Sequence, residues 1–238
     1  MAMRKNRLLT RFPPALQGKL SLHREEVDLS AGHILHMPND EIASVCFPLD
    51  CIVSVTITMA DAGMAQTGIV GNREMVGLDA FMGGKALNQT AYVVEMPGKA
   101  VRVPADILLA EFDTNKALRD VLLRYTQFYV AQLSQNVGCL ARHSVSKRLA
   151  RWLLEMSDRA GNELNLTHER IGLMLGVRRA GVSEELQRLA ERGLIATNRK
   201  SVMILDTDGL AGAACECYSV LQREYDRLLG KMGAEFDA

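Results

Sequence analysis

The chain has 238 residues, long for one domain and comfortable for two; with 48% hydrophobic and 24% charged residues its composition is that of an ordinary globular protein. That balance excludes intrinsic disorder, a collagen-like chain and a coiled coil as the whole structure. The formal net charge is zero, from 28 basic and 28 acidic residues, so overall charge does not announce a nucleic-acid partner.

No stretch approaches the roughly 18 consecutive apolar residues of a membrane span, and the start, MAMRKNRLLTRFPP, lacks the apolar run of a signal peptide. A cytoplasmic protein without a membrane partner is expected. Five cysteines (Cys46, Cys51, Cys139, Cys215, Cys217) are odd in number and too sparse for a disulfide framework, which agrees with a reducing compartment. The charge is unevenly spread. Residues 1–143 carry 14 basic and 14 acidic side chains, residues 144–205 carry 11 against 7, and residues 206–238 carry 3 against 7, so a basic module lies between a neutral segment and an acidic tail.

From about Val27 to Val103 the chain reads as short strands: Ile52 to Met59, Gln66 to Val70 and Ala91 to Glu95 are rich in β-branched residues with partial alternation. Turn formers at Asp61-Ala62-Gly63, Gly71-Asn72, Gly83-Gly84 and Pro97-Gly98 separate them, the pattern of an antiparallel sandwich or barrel. The character changes after Pro104. From Ala105 to His143 there is no proline and a single glycine, Gly138, which allows one or two helices ending in a long one. Leu118, Leu122, Tyr125, Val130, Leu133, Val137 and Leu140 belong to an apolar set covering more than one face of that helix. One side is expected to pack on the β domain and the other on a second copy of the chain; the alternative is a wide-faced core helix in a monomer.

Ser144 reads as an N-cap for a helix from Val145 to about Arg159, closed by Ala160-Gly161-Asn162. Thr167 reads as the N-cap of a short helix, His168 to Met174, and Gly176 stands where a tight turn needs a positive φ. Val177 to Glu191 follows as a second helix, and Gly172 leaves room for the two to cross, which makes a helix-turn-helix. Leu194-Ile195 and Val202 to Leu205 flank the polar stretch Asn198-Arg199-Lys200-Ser201 and read as a hairpin with a basic tip, a wing. Such a fold sets the start of its second helix in the DNA major groove and its wing on the phosphates. Arg178 and Arg179 open that helix, where a cation opposes the helix dipole and an anionic partner is favoured.

The stretch LTHERIGLMLGVRRAGVSEELQRLAERGLI, preceded by HSVSKRLARWLL and a β domain, resembles the cyclic AMP receptor protein and fumarate-nitrate regulator (Crp/Fnr) superfamily of bacterial transcription factors. The resemblance runs from about Val27 to Leu205. It implies an α+β fold: an N-terminal antiparallel β-roll like a cyclic-nucleotide-binding domain (1–113), a dimerisation helix (114–143), a winged helix-turn-helix (144–207) and a C-terminal amphipathic helix and tail (208–238). It implies a homodimeric regulator, not an enzyme, bound to double-stranded DNA at an interrupted palindrome, with RNA polymerase open as a further partner. By the same resemblance His168 matches a phosphate contact, Arg179 an arginine that reads guanine, and Ser183 and Lys200 backbone contacts, with Arg178 and Arg199 beside them. An arginine can donate two hydrogen bonds to O6 and N7 of guanine, which accounts for the residue type. Ala180 and Glu184 depart from the receptor protein's pattern, so the operator should differ. Glu185 occupies a usually apolar position, with Arg188 or Arg178 as its partner.

In nucleotide-binding members a cassette supplies a glycine and a glutamate, then an arginine before small residues; the matching positions here are Gly77, Leu78, Gln89 and Thr90. Leu78 replaces the ribose-binding glutamate and Gln89 the phosphate-binding arginine, so a degenerate pocket without cyclic nucleotide is expected, because a buried phosphate needs a charge-assisted partner. An unrecognised small ligand, haem or a redox signal is the alternative gate. No cofactor or metal ligand set is expected: the chain has no cysteine before Cys46, where the fumarate-nitrate regulator has its cluster ligands, and Cys46 and Cys51 read as core. Cys215 and Cys217, two apart on what reads as a helix, stand about 200 degrees around it and would not share a metal. A cupin-like metal enzyme built on His33 and His36 is a remote alternative, since the spacing departs from the usual two-apart pair. The tail, Asp208 to Leu229, reads as one amphipathic helix that covers the winged domain or adds to the dimer contact.

Overall fold

The computed structural model describes residues 5–60, 64–87 and 89–230, so the Asp61-Ala62-Gly63 turn and the last eight residues of the tail lie outside the described residues. A 3-10 turn (Leu9–Arg11) leads into α1 (Pro14–Leu20), which starts on a proline where a missing N–H costs nothing. Leu8, Phe12, Leu16 and Leu20 are buried against the β domain that follows.

Seven strands build that domain: β1 (Glu25–Leu29), β2 (Ile34–His36), β3 (Ser44–Pro48), β4 (Ile52–Thr58), β5 (Met64–Val70), β6 (Thr90–Met96) and β7 (Gly98–Pro104). They form two antiparallel sheets with strand orders β1-β7-β3 and β2-β6-β4-β5. The incomplete alternation of β4 has a physical reason, since both of its faces are covered. Val53 and Val55 point into the roll with Val70 and Val94, while Ile52 on the other face joins Ile69 and Met96 in a second core shared with the C-terminal half of the chain. Cys46 and Cys51 are buried in the roll, and burial pushes their thiols up to about 11 and about 12, as expected of inert core residues.

The helical stretch after Pro104 divides into α2 (Ala105–Thr114) and α3 (Lys116–Arg142). Between them Asn115 has extended backbone, and its side chain accepts the Leu118 N–H, so it ends one helix and caps the next. With 27 residues, α3 is about 40 Å long. Leu118, Leu122 and Tyr125, expected in a dimer seam, are instead fully buried in the roll's own core, and the Tyr125 hydroxyl exchanges hydrogen bonds with the backbone of Met75. The outward apolar residues are Leu123, Val130, Val137 and Leu140, with Leu133 half-buried beside them.

His143 follows as the C-cap of α3, and α4 (Val145–Ala160) begins after Ser144. Then come β8 (Glu163–Leu164), α5 (His168–Leu175), α6 (Arg179–Glu191), β9 (Ile195–Thr197) and β10 (Val202–Ile204). The wing has a third strand that the sequence pattern does not announce, because β8 is two residues long and pairs with β10 only through Glu163 and Leu164. The tail is two helices rather than one: α7 (Thr207–Ala213), then a break at Ala214-Cys215-Glu216, then α8 (Cys217–Leu229). Leu221, Tyr225, Leu228 and Leu229 bury α8 in the roll's core against α3, where Phe128 and Tyr225 meet edge to face at 5.1 Å. The tail thus divides: α7 covers the winged half, with Leu210 buried in that core, while α8 returns to the first domain.

The two halves are joined by a buried ion cluster. Arg159 of α4 donates to both oxygens of Glu74 at 2.7 and 3.1 Å, and Arg73 donates at 3.1 Å. The Gly71 N–H donates a further bond of 2.7 Å. Burial opposes ionisation of Glu74, but Arg159 and Arg73 outweigh it and hold the carboxyl below its ordinary value. A Cβ on Gly71 would stand 2.5 Å from the Arg159 side chain, so glycine permits this approach.

Candidate nucleic-acid interface

The helix-turn-helix follows from a few local rules. Thr167 caps α5 by accepting the Arg170 N–H, and Gly176 terminates it with φ of 66°. A Cβ on Gly172 would lie 2.8 Å from the carbonyl oxygen of Val177, so the turn closes onto α5 only over a glycine. Ile171, Leu175, Val182, Leu186 and Leu189 fill the space between the helices. Glu185 pairs with Arg188, one turn along α6, at 2.6 Å.

At the start of α6, Arg178 occupies the N-cap position and Arg179 the first helical one, with no acidic residue in the first turn. Both are exposed and make no ion pair among the described residues. In the wing, the Asn198 side-chain oxygen accepts the N–H groups of Lys200 and Ser201 at 2.8 and 3.0 Å, which shapes the tip and leaves Arg199 and Lys200 exposed. His168 stands between these parts: its ring nitrogens lie 2.9 Å from the Ser183 hydroxyl and 3.2 Å from that of Thr197. It joins α5 to α6 and to the wing, so two of the expected DNA-facing residues, His168 and Ser183, are engaged with each other.

A further link docks this motif on the roll. Arg170 of α5 forms a bidentate pair with Glu95 of β6, one bond being 2.8 Å, and the Ser54 hydroxyl contacts both Glu95 and the Met174 sulfur. The two partners are 75 residues apart in sequence, and nothing in either local pattern signals the pair.

Beside this contact, α3, α4, α5 and the sheet enclose a cavity of about 550 Å³. Of the four expected pocket residues only Thr90 lines it. Gly77 has φ of 95° and starts a 3-10 turn, Leu78 is buried in the roll's core, and Gln89 is exposed. Apolar side chains such as Val55, Leu133, Trp152 and Met174 dominate the lining, and Asp79 adds a carboxylate that accepts the Tyr92 hydroxyl at 2.7 Å. The two histidines considered as metal ligands are separated: His33 is exposed, while His36 is buried with its ring edge-on to Tyr92, and burial lowers its pKa.

Residues 147–213 match the family described as the Crp-like helix-turn-helix domain. The chain is 25% identical over 210 residues to a CRP-like cAMP-activated global transcriptional regulator of Mycobacterium tuberculosis, covering 84% of this chain and 93% of the relative. It is 22% identical over 220 residues to a global nitrogen regulator of Synechococcus elongatus, covering 89% and 98%. Among solved structures it shares the fold of FixK2 from Bradyrhizobium japonicum, with a TM-score of 0.69 at 16% identity over 81% of this chain and 98% of that one. A putative regulator of the crp/fnr family from Eubacterium rectale gives 0.64 at 20% identity over 91% and 97%. Among the described residues no helix is long and apolar enough to cross a membrane. A β-roll, a long helix and a helix-turn-helix with exposed arginines at the start of its second helix thus coincide with these likenesses: residues 147–213 carry a Crp-like helix-turn-helix domain, and the chain is similar in sequence and fold to DNA-binding transcriptional regulators of the Crp/Fnr family.

Proposed function

We propose that this regulator works as a two-fold symmetric homodimer joined along α3, reads an interrupted palindrome with Arg179 at the bases and Arg178, Arg199 and Lys200 at phosphates, and responds to something other than a cyclic nucleotide. The observation that carries the dimer is an exposed apolar stripe on an otherwise packed helix, with Val137 70% and Leu140 64% exposed. Leu123, Val130 and Val137 recur every seven residues, as do Thr126, Leu133 and Leu140, which is the a/d pattern of a two-helix seam. A dimer of this kind reads half-sites about 34 to 36 Å apart. His168 and Ser183 then act chiefly by fixing α6 against the wing, with Ser183 at the edge of the phosphate path. DNA as partner and five free cysteines fit a cytoplasmic setting, and RNA polymerase fits as a further partner of a bound regulator.

Against cyclic nucleotide stand an exposed Gln89 in place of a buried arginine and a core Leu78 in place of a ribose acceptor. The lining, mainly apolar with Asp79, Glu155, Arg148 and Arg151 among it, suits a mainly apolar small molecule that carries polar groups. Selection of bound DNA from a random pool tests the reading: a palindromic consensus with two half-sites one helical turn apart is expected, and a single asymmetric half-site would refute the dimer. Calorimetric titration with cyclic AMP and cyclic GMP is expected to show no heat of binding, whereas micromolar affinity would restore a nucleotide gate.

A further inference from the structure

Three of the five cysteines and one histidine, far apart in sequence, meet at the hinge between α3 and the winged domain. Cys139 lies in the last turn of α3 and His143 is its C-cap, four residues on and so on the same side of the helix. Cys215 lies in the break before α8 and Cys217 is its first residue. On one continuous helix the last two would diverge; the non-helical backbone at Cys215 lets both sulfurs turn the same way. One Nδ1 or Nε2 of His143 and the three Sγ atoms all lie within 4.8 Å of one another.

From this geometry we propose that Cys139, His143, Cys215 and Cys217 form a tetrahedral site for one zinc ion. Zinc bonds of about 2.3 Å to sulfur and 2.0–2.1 Å to nitrogen place neighbouring tetrahedral ligands about 3.8 Å apart for two sulfurs and about 3.6 Å for sulfur and nitrogen. Here Cys139 Sγ and Cys215 Sγ are 3.6 Å apart, and Cys217 Sγ and His143 Nδ1 are 3.4 Å apart. A disulfide would need about 2.05 Å and would leave the other two groups unused. An iron-sulfur cluster with several irons would hold its ligands farther apart than one ion does.

The surroundings are those of a metal site as well. The other ring nitrogen of His143, Nε2, lies 3.2 Å from the Glu216 carboxylate, the arrangement that fixes the tautomer of a ligating histidine. Gln135 donates to the Cys217 sulfur at 3.0 Å, and the Arg151 guanidinium lies near Cys139, so a donor and a cation face the thiolates. The cysteines are buried and the histidine side chain is 15% exposed, leaving no coordination position open for catalysis. Zinc would fasten the start of α8 to the end of α3, next to Ser144, where the chain enters the DNA-binding half.

The full-length chain, purified under reducing conditions without chelator, is expected to carry about one zinc per chain by elemental mass spectrometry. The stripped protein titrated with Co²⁺ should develop the intense visible bands of tetrahedral thiolate coordination, saturating at one equivalent and abolished by excess Zn²⁺. Cys215→Ser and Cys217→Ser should remove those bands, and Glu216→Ala should weaken zinc binding about 10- to 100-fold. Since a cysteine variant can misfold, the wild-type cobalt spectrum decides independently. A reduced wild type that takes up no Co²⁺, bands that survive both cysteine substitutions, or a metal-free protein isolated with a Cys139–Cys215 disulfide would each overturn the assignment, the last in favour of a redox pair.

Discussion

At the scale of single residues, two arginine-rich settings in this chain have opposite physics. Arg178 and Arg179 are exposed at the positive end of α6, where neither the helix dipole nor a carboxylate rewards them, so their charge is available to a ligand. Arg179→Ala is expected to cost about 1 to 3 kcal/mol at the specific site and to relax one base position, whereas Lys200→Ala should weaken all DNA alike and lower the salt slope by about one. Binding isotherms on matched and mismatched operators at several salt concentrations separate the two, and uniform losses in both variants would count against base reading by Arg179. Arg73 and Arg159 are buried and committed to Glu74. Glu74→Gln removes the carboxylate that two buried cations share, leaving Arg73 only its 3.9 Å ionic contact with Asp158, and should destabilise the chain by about 3 to 5 kcal/mol in urea melts. Because the folded-state pKa of Glu74 is depressed, its contribution is full above the unfolded glutamate value of about 4.3 and is lost as pH falls below it. The wild type should therefore lose stability on acidification faster than Glu74→Gln does.

At the scale of elements, α3 presents one buried and one exposed apolar side. Leu118, Leu122, Tyr125 and Phe128 hold it on the roll, and its exposed stripe is the seam of the proposed dimer. The two sides predict separable phenotypes. Val130→Glu with Val137→Glu should yield monomers in sedimentation with the fold retained, since both positions are exposed in a single chain. Leu122→Ala should cost about 2 to 5 kcal/mol of stability and leave the dimer intact while the chain stays folded. A dimeric double variant would move the interface away from α3.

At the scale of the whole molecule, two ion pairs, Arg159 on Glu74 and Arg170 on Glu95, join the apolar core at Ile52, Ile69 and Met96 in holding the DNA-binding half against the roll. The second pair anchors α5, and α5 positions the turn that starts α6. Arg170→Ala leaves the Glu95 carboxylate buried without its cation and should loosen α5 by about 1 to 3 kcal/mol. Faster amide exchange in α5 and along β6, with α3 and α8 unchanged, is the expected signature. Uniform exchange across the chain would mean that the pair does not govern docking.

Local interactions determine much of this protein without reference to the rest of the chain. The caps at Ser144 and Thr167, the positive-φ glycine at 176, the basic tip of the wing and the β-branched runs of the roll each act within a few residues, and they made the α+β architecture and the DNA-binding motif legible in the sequence. The fate of the apolar faces was not legible in that way. Leu122 and Val130 look alike in a periodic pattern, and only the packing of the roll and α8 buries one and exposes the other. The same holds for polar partners distant in sequence: Glu95 and Arg170 meet because a sheet and a helix from different domains come into contact. Cys139 and Cys215 meet because a break at Ala214-Cys215-Glu216 reverses the direction a continuous helix would have imposed. Propensity is set by neighbours along the chain and is written in the sequence, whereas which surfaces close on each other, and which charges and thiols they enclose, is decided only when the elements pack.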